Sequence, residues 1–341
     1  MSVEDIRIGD VVAEGGTKRR GFLKVGETAV GPIQIPVVIV RGTRPGPTLC
    51  LTAGVHGTEY PGISAVMQTA QKLDPREMAG TVIAVPVVNV PMYQARTPFI
   101  SPIDGLNLNR VFPGKPDGSI SEMIAHALYT EVIRKATHHI DCHGGDLTEV
   151  LWPYAGYNIT GNAELDRMGE AMARLYSPQI FALYREGSLL PPTRGSVSSE
   201  SASMGLASIL AESGSAGSLD PEHVRVHLNG ITNVMRFLGI IPGEPLVAGD
   251  KRVATGQFIV QAHRGGLVRL NVKIGDVLKE GQEIGDVVDV FGDVVERLQS
   301  PAEGVVRIIW THKVVNSGDA ILKCWTTEAA PPFPLTDRFI Q

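Results

Sequence analysis

The sequence predicts an α/β fold, a mixed sheet flanked by helices and followed by a small all-β, barrel-like domain. Three observations carry this expectation. Apolar, β-branched runs alternate with segments of helical periodicity as far as Leu238. The stretch Gly239 to Gly249, rich in Pro and Gly, then breaks the pattern and marks a boundary. Beyond it come short strand-like runs and tight turns with an internal echo: Gly266-Leu267-Val268-Arg269-Leu270, closing at Gly281 to Ile284, matches Gly304-Val305-Val306-Arg307-Ile308, closing at Gly318 to Ile321. A chain of 341 residues is long enough for two domains at about 150 residues each, expected here at 1–245 and 246–341.

The elements follow in chain order. Strands are expected at Arg20 to Val25, Gln34 to Arg41 and Thr48 to Ala53, separated by Gly and Pro turns. Pro61 to Leu73 has Ile63, Val66, Met67 and Ala70 at helical spacing and opens with a proline suited to a first turn. Thr81 to Val88 is β-branched without polar alternation, as in a strand covered on both faces. A helix at Ser121 to Lys135, a strand at Thr137 to Cys142, a helix at Ala163 to Leu175, a strand at Ala207 to Ala211 and a helix at Pro221 to Leu238 complete the alternation.

Composition excludes several classes. With 43% hydrophobic and 20% charged residues the chain can bury a large core, and a net charge of -5 with scattered Lys and Arg gives no footprint for nucleic acid. Met1 to Asp5 lacks a basic segment and apolar stretch, and no apolar run approaches the roughly 20 residues of a membrane span. A cytoplasmic protein without membrane attachment is expected. Cys50, Cys142 and Cys324 are odd in number and far apart, which suits reduced thiols, and Cys142 in a strand points away from Asp141 and His143.

The chemistry concentrates at strand ends. Leu51 to Ala53 breaks at Gly54 and releases His56 and Glu59, two ligand types three residues apart that share a face if the chain turns helically after Gly57. Catalytic zinc keeps three protein ligands, and His143, in Ile140-Asp141-Cys142-His143-Gly144-Gly145, supplies the third at another glycine-marked strand end. His138 and His139 are read as satisfied or partly exposed histidines, and Asp141 as either a hydrogen-bond partner for a ligand imidazole or an ordinary polar strand end. In open α/β sheets sites lie at the carboxyl ends of strands, where His56, His143 and Glu212 all fall. The turn-rich segment Thr97 to Lys115 carries Arg110, whose guanidinium suits a carboxylate; Asn107 and Asn109 serve either turns or binding.

The combination His56-Gly57-x-Glu59, Asn107-Leu108-Asn109-Arg110, Asp141-x-His143 and Glu212-Ser213-Gly214 is similar to the succinylglutamate desuccinylase and aspartoacylase family, relatives of zinc carboxypeptidases, over roughly residues 45 to 240. The resemblance implies a zinc-carboxypeptidase-like sheet and one Zn2+ per chain held by His56, Glu59 and His143. It further implies Asn109 and Arg110 as binders of a substrate carboxylate, Glu212 as the catalytic carboxylate and Arg96 as an oxyanion-stabilising group. The implied reaction is hydrolysis of the amide of a small N-acyl amino acid. Arg194 reads as a solvated loop residue, and without a second cationic handle an N-acetyl-diaminobutyrate-like substrate is expected over N-acetylaspartate or succinylglutamate. The alternatives are a carboxypeptidase acting on short peptides and a non-catalytic binding module. The tail resembles biotinyl and lipoyl domains, but Asp289 to Asp293 offers no lysine to carry a cofactor, so a structural or homo-oligomer-forming role is expected for it.

Overall fold

The computed structural model describes residues 5–246, 249 and 251–333, so the expectation for the first residues and part of the 239–249 boundary lie outside the described residues. A thirteen-stranded mixed sheet organises the chain. At its centre Ala79–Val85, Arg44–Ala53, His138–His143 and Ala207–Glu212 run parallel in that spatial order. Gly31–Arg41 and then Thr17–Thr28 extend one side antiparallel. On the other side Tyr154–Asn158 pairs antiparallel with Ala207–Glu212, and Ile180–Tyr184 follows parallel. Parallel strands need crossovers and are covered on both faces, which is why the central runs are apolar without alternation.

Each face has its own core. Helices Tyr60–Lys72, Ala163–Tyr176 and Pro221–Phe237 pack Ile63, Val66, Met172, Ile231 and Val234 against Leu51, Ile140 and Ile209. On the opposite face Ile35, Ile39, Ile83 and Val85 meet Ile124, Leu128 and Val132. Truncating one of these fully buried aliphatics to Ala costs about 2–5 kcal/mol through lost burial and the cavity left behind. Among the described residues no helix is long and apolar enough to cross a membrane.

Two expected elements change shape. The segment 121–135 is α-helical only over Ile120–Ala127; a wide turn at Leu128–Val132 and a tight one at Ile133–Lys135 follow. Thr130 donates its hydroxyl back to the His126 carbonyl at 2.8 Å, a side-chain bond of the kind that bends helices. The strand expected to reach Val88 stops at Val85, because Asn89 accepts from Met92 N–H at 3.2 Å and starts a short helix, Val90–Ala95. Ile180–Tyr184 is a strand that the sequence expectations leave out.

The tail continues the same sheet. Arg252–Gln261 pairs parallel with Ile180–Tyr184, and Ala320–Ala329, Gly304–Trp310 and Val277–Leu278 extend it further. A four-stranded sheet, Val294–Gln299, Glu283–Val288, Gly266–Leu270 and Val314–Val315, forms the other layer. Val268, Leu278, Ile284, Val306, Ile321 and Leu322 fill the space between the layers. The echoed halves take equivalent places, and each lends its short strand to the other: Val277–Leu278 joins Gly304–Trp310, while Val314–Val315 joins Gly266–Leu270. One further short strand, Glu149–Leu151, also pairs with Gly304–Trp310 and so ties the segment after His143 to the tail.

Candidate active site

The strand Arg44–Ala53 releases the chain at Gly54, whose φ of +65° favours a residue without Cβ. A turn, not the expected helical continuation, then brings His56 and Glu59 together, and Glu59 stands at the N-cap of the following helix. Gly57 permits this close passage: a Cβ there would come within 2.4 Å of the Met92 carbonyl carbon.

His56, Glu59 and His143 converge with one donor atom each, all within 4.8 Å of one another. The Glu59 carboxylate lies between two imidazoles, 2.7 Å from His56 Nδ1 and 2.8 Å from His143 Nδ1. The far nitrogens are also engaged: Asp141 Oδ2 is 2.8 Å from His143 Nε2, and Asn107 Oδ1 is 3.2 Å from His56 Nε2. Both acceptors can take a proton from Nε2, so that with a cation present each Nδ1 would offer its lone pair inward, the tautomer a metal site needs. Two imidazoles and a carboxylate suit zinc or another borderline divalent ion, with open positions remaining. Burial works to raise the Glu59 pKa, but the two histidines outweigh it and hold the carboxyl below its usual range. Burial likewise works against a charged His143, and Asp141 and Glu59 more than reverse it.

Behind this set runs a buried chain of hydrogen bonds. Thr52 donates to Asp141 Oδ1 at 2.7 Å and lies 2.9 Å from His139 Nε2, whose Nδ1 is 3.0 Å from Ser208 Oγ. His139 is therefore a satisfied buried histidine, and His138 lies 2.8 Å from Thr137 Oγ1. Cys142 points to the opposite face, with Sγ 3.7 Å from Tyr176 Oη and its thiol pushed up to about 12 by burial. All three cysteines are free and buried.

Sheet register places Glu212. It is the direct partner of His143 on one side and of Tyr154 on the other, so the three residues form a row across three strands. Its Oε2 is buried without a hydrogen-bond partner. Burial first, then the charges of Glu59 and Glu149, push its pKa well above the carboxylate range, with His143 and Arg307 opposing. This shift favours the protonated carboxyl, a form that can donate a proton.

A cavity of about 250 Å3 joins these groups, lined by His56, Glu59, His143, Glu212, Asn109 and Arg110 among others. Asn109 is buried, accepting from Val197 N–H at 2.9 Å, while Arg110 is solvent-exposed and donates to the Asn109 carbonyl at 2.6 Å. Asn107 also accepts from Asn109 N–H at 2.9 Å, so it serves its turn as well as His56. Arg96 is not brought to this cavity: it is exposed at the end of helix Val90–Ala95 with a φ of 58°. Arg194 also stands in solvent, 3.4 Å from Glu186.

Several lining residues escape the sequence expectations. Gln257, Arg307, Ile308 and Lys323 come from the tail, and Glu149, Tyr154 and Tyr184 from strands beside it. The tail is thus part of the cavity wall and adds two cations to it, Arg307 and Lys323, which corrects the expectation that Arg110 has no cationic companion there. The Arg307 guanidinium lies 4.6 Å from the Tyr154 ring centroid and 4.5 Å from that of Trp325, and donates to Tyr154 Oη. Only the in-phase repeat hinted at it, since Arg307 holds the same position in its half as Arg269.

Comparison with known proteins agrees with this geometry. The model of the succinylglutamate desuccinylase/aspartoacylase catalytic domain matches residues 45–238. The N-alpha-acetyl-L-2,4-diaminobutyric acid deacetylase of Halomonas elongata is 32% identical, covering 89% of this chain and 90% of that protein. A succinylglutamate desuccinylase/aspartoacylase structure from Rhodobacter sphaeroides superposes with a TM-score of 0.81 at 27% identity, covering 92% of this chain and 96% of the other. The product-bound ectoine utilization protein EutE (DoeB) of Ruegeria pomeroyi has the same fold, with a TM-score of 0.83 at 24% identity over 94% of this chain and 98% of its own. With more than half its length matched by the family's catalytic-domain model, and its ligand-forming residues gathered in one cavity, the chain belongs to the succinylglutamate desuccinylase/aspartoacylase family.

Proposed function

We propose that this protein is a zinc-dependent deacylase that hydrolyses the amide of a small N-acyl amino acid, N-acetyl-2,4-diaminobutyrate or a close analogue. The observation that carries the reading is the meeting, in one small cavity, of a three-donor cation site and a buried carboxyl with an unpartnered oxygen, Glu212. The curated relative's name supports the substrate class.

His56, Glu59 and His143 would hold the ion, which when bound lowers the pKa of water towards about 7 and polarises the scissile carbonyl. Glu212 takes the proton from the attacking water and returns it to the departing amine. Asn109 and Arg110 bind the free carboxylate, and Asp141 and Asn107 keep the two imidazoles oriented. Arg96 enters only as a candidate oxyanion donor, because it would have to move in from the exposed end of its helix. The tail is proposed as a module of the biotinyl or lipoyl type that has kept the β-layers without a carrier lysine at the Asp289 to Asp293 turn. Three buried free thiols support a cytoplasmic setting.

The test combines metal analysis with hydrolysis of N-acyl amino acids and short peptides. Stoichiometric zinc and release of the free amino acid are expected, with activity lost on chelation and restored by zinc. Glu212→Gln should keep the metal and lose roughly 100-fold or more in kcat. Peptide-only cleavage would overturn the deacylase reading, and a fully active Glu212→Gln protein would remove Glu212 from the chemistry.

A further inference from the structure

We propose that Glu149 is the carboxylate that selects substrates whose side chain ends in a primary ammonium, a role that rests on the deacylase reading above. Glu149 lines the same cavity as His56, Glu59 and Glu212. Its backbone is committed at both ends: its N–H donates to Asp146 O at 3.0 Å, and its carbonyl accepts from Ala216 N–H at 2.7 Å. It also sits in register with Trp310 of the tail. The backbone is thereby held in place, and the side-chain carboxylate makes no hydrogen bond or ion pair among the described residues.

Glu149 is half-buried, and a half-buried carboxylate without a protein partner is an acceptor that a ligand entering the cavity can satisfy. Burial and the nearby charge of Glu59 both disfavour the Glu149 charge, while Arg307 and Lys323, without forming an ion pair with it, oppose them. Neither cation comes within ion-pair distance, so the two oxygens remain available to a ligand. Arg307 is itself occupied by Tyr154 Oη and the two aromatic rings.

Besides the cations Arg307 and Lys323 of its wall, the cavity offers separate places for the two charges of one kind of substrate. Arg110 and Asn109 offer donors for an α-carboxylate, and Glu149, on a separate element, offers an acceptor for a cation. A neutral side chain would leave Glu149 without a partner, and an acidic one would be repelled by it. An ammonium at the end of a short aliphatic side chain meets both needs, and sites built around a polar contact discriminate strongly against analogues that lack it.

The experiment compares N-acetyl-2,4-diaminobutyrate with N-acetylnorvaline, which replaces the ammonium by a methyl group, in the wild type and in Glu149→Gln. The wild type should prefer the cationic substrate in kcat/KM by roughly 30-fold or more, the factor expected of a desolvated charge pair. Glu149→Gln should abolish that preference through KM, leaving kcat and N-acetylnorvaline hydrolysis within about threefold. Calorimetry on the metal-free protein gives a second readout: 2,4-diaminobutyrate binding should weaken by the same factor in the variant, and norvaline binding should not change. Equal losses on both substrates, or unchanged 2,4-diaminobutyrate binding, would overturn the proposal by making Glu149 a structural counter-charge. A wild type that hydrolyses N-acyl amino acids without favouring the ammonium overturns it too. A zinc-loaded wild type that hydrolyses none of them overturns the deacylase reading itself, and the two failures are distinct.

Discussion

Arg269 and Arg307 hold the same place in the two halves of the tail, and their surroundings differ in nearly every respect. Arg269 is 56% exposed and pairs with Asp286 at 2.7 Å on the outer sheet. Arg307 is partly buried between Tyr154 and Trp325, with Glu212 and Glu149 close enough to raise its pKa against the effect of burial. Both begin as the fourth residue of a Gly-x-Val-Arg strand. What separates them is the sheet each half joins: one ends on solvent, the other runs into the catalytic sheet through Ala320–Ala329 and Arg252–Gln261. A repeated unit can thus supply a scaffold with one copy and part of the cavity wall with the other.

The largest expected effect tests that asymmetry directly. Arg307→Met should lower kcat/KM by roughly 30- to 100-fold, because it leaves Glu212 and Glu149 without their nearby cation and Tyr154 without its donor. Steady-state kinetics on an N-acyl amino acid checks it, and a change under threefold would place Arg307 with the scaffold.

Acid should act on the portion before the tail through its buried histidines. His139 and His227 are fully buried, and burial holds each imidazole at about 4. Between that value and the usual His value of about 6.5, the unfolded chain binds protons that the folded chain does not, so stability falls as pH drops through the window and is level above it. Each contributes up to about 3 kcal/mol by the bottom of the window. Thermal unfolding as a function of pH should show the fall, flattened in part by His227→Gln.

The smallest effect belongs to the outer half. Arg269→Met removes an exposed ion pair, for which less than about 1 kcal/mol of stability is expected, with no change in kcat/KM. If this variant lost as much activity as Arg307→Met, the contrast between the halves would collapse.

The readable part of the molecule was the part written locally. Leu51 to Glu59 and Ile140 to Gly145 announce themselves because an apolar strand, a glycine and a ligand-type side chain follow one another in the chain. Their parallel pairing then carries His56, His143 and Glu212 to one edge of the sheet. Even there the local geometry is a turn, since the close packing of Gly57 on Met92 leaves Glu59 at the helix cap. Glu149, Tyr154, Arg307 and Lys323 reach the cavity by strand pairing across long separations, and no local pattern distinguishes Arg307 from the solvated Arg269. Arg96 illustrates the converse, because nothing near it in sequence reveals that its helix end faces solvent.

The three residues of Glu149–Leu151 bear on how freely this architecture can be recombined. They leave the catalytic core only six positions after His143 and are stitched to the tail strand Gly304–Trp310. A graft that fused this core to a foreign tail would therefore break the stitch as well as remove an arginine. The two portions are a single inheritance: a donor tail would be accepted only if it brought a strand in the same register to receive Glu149–Leu151.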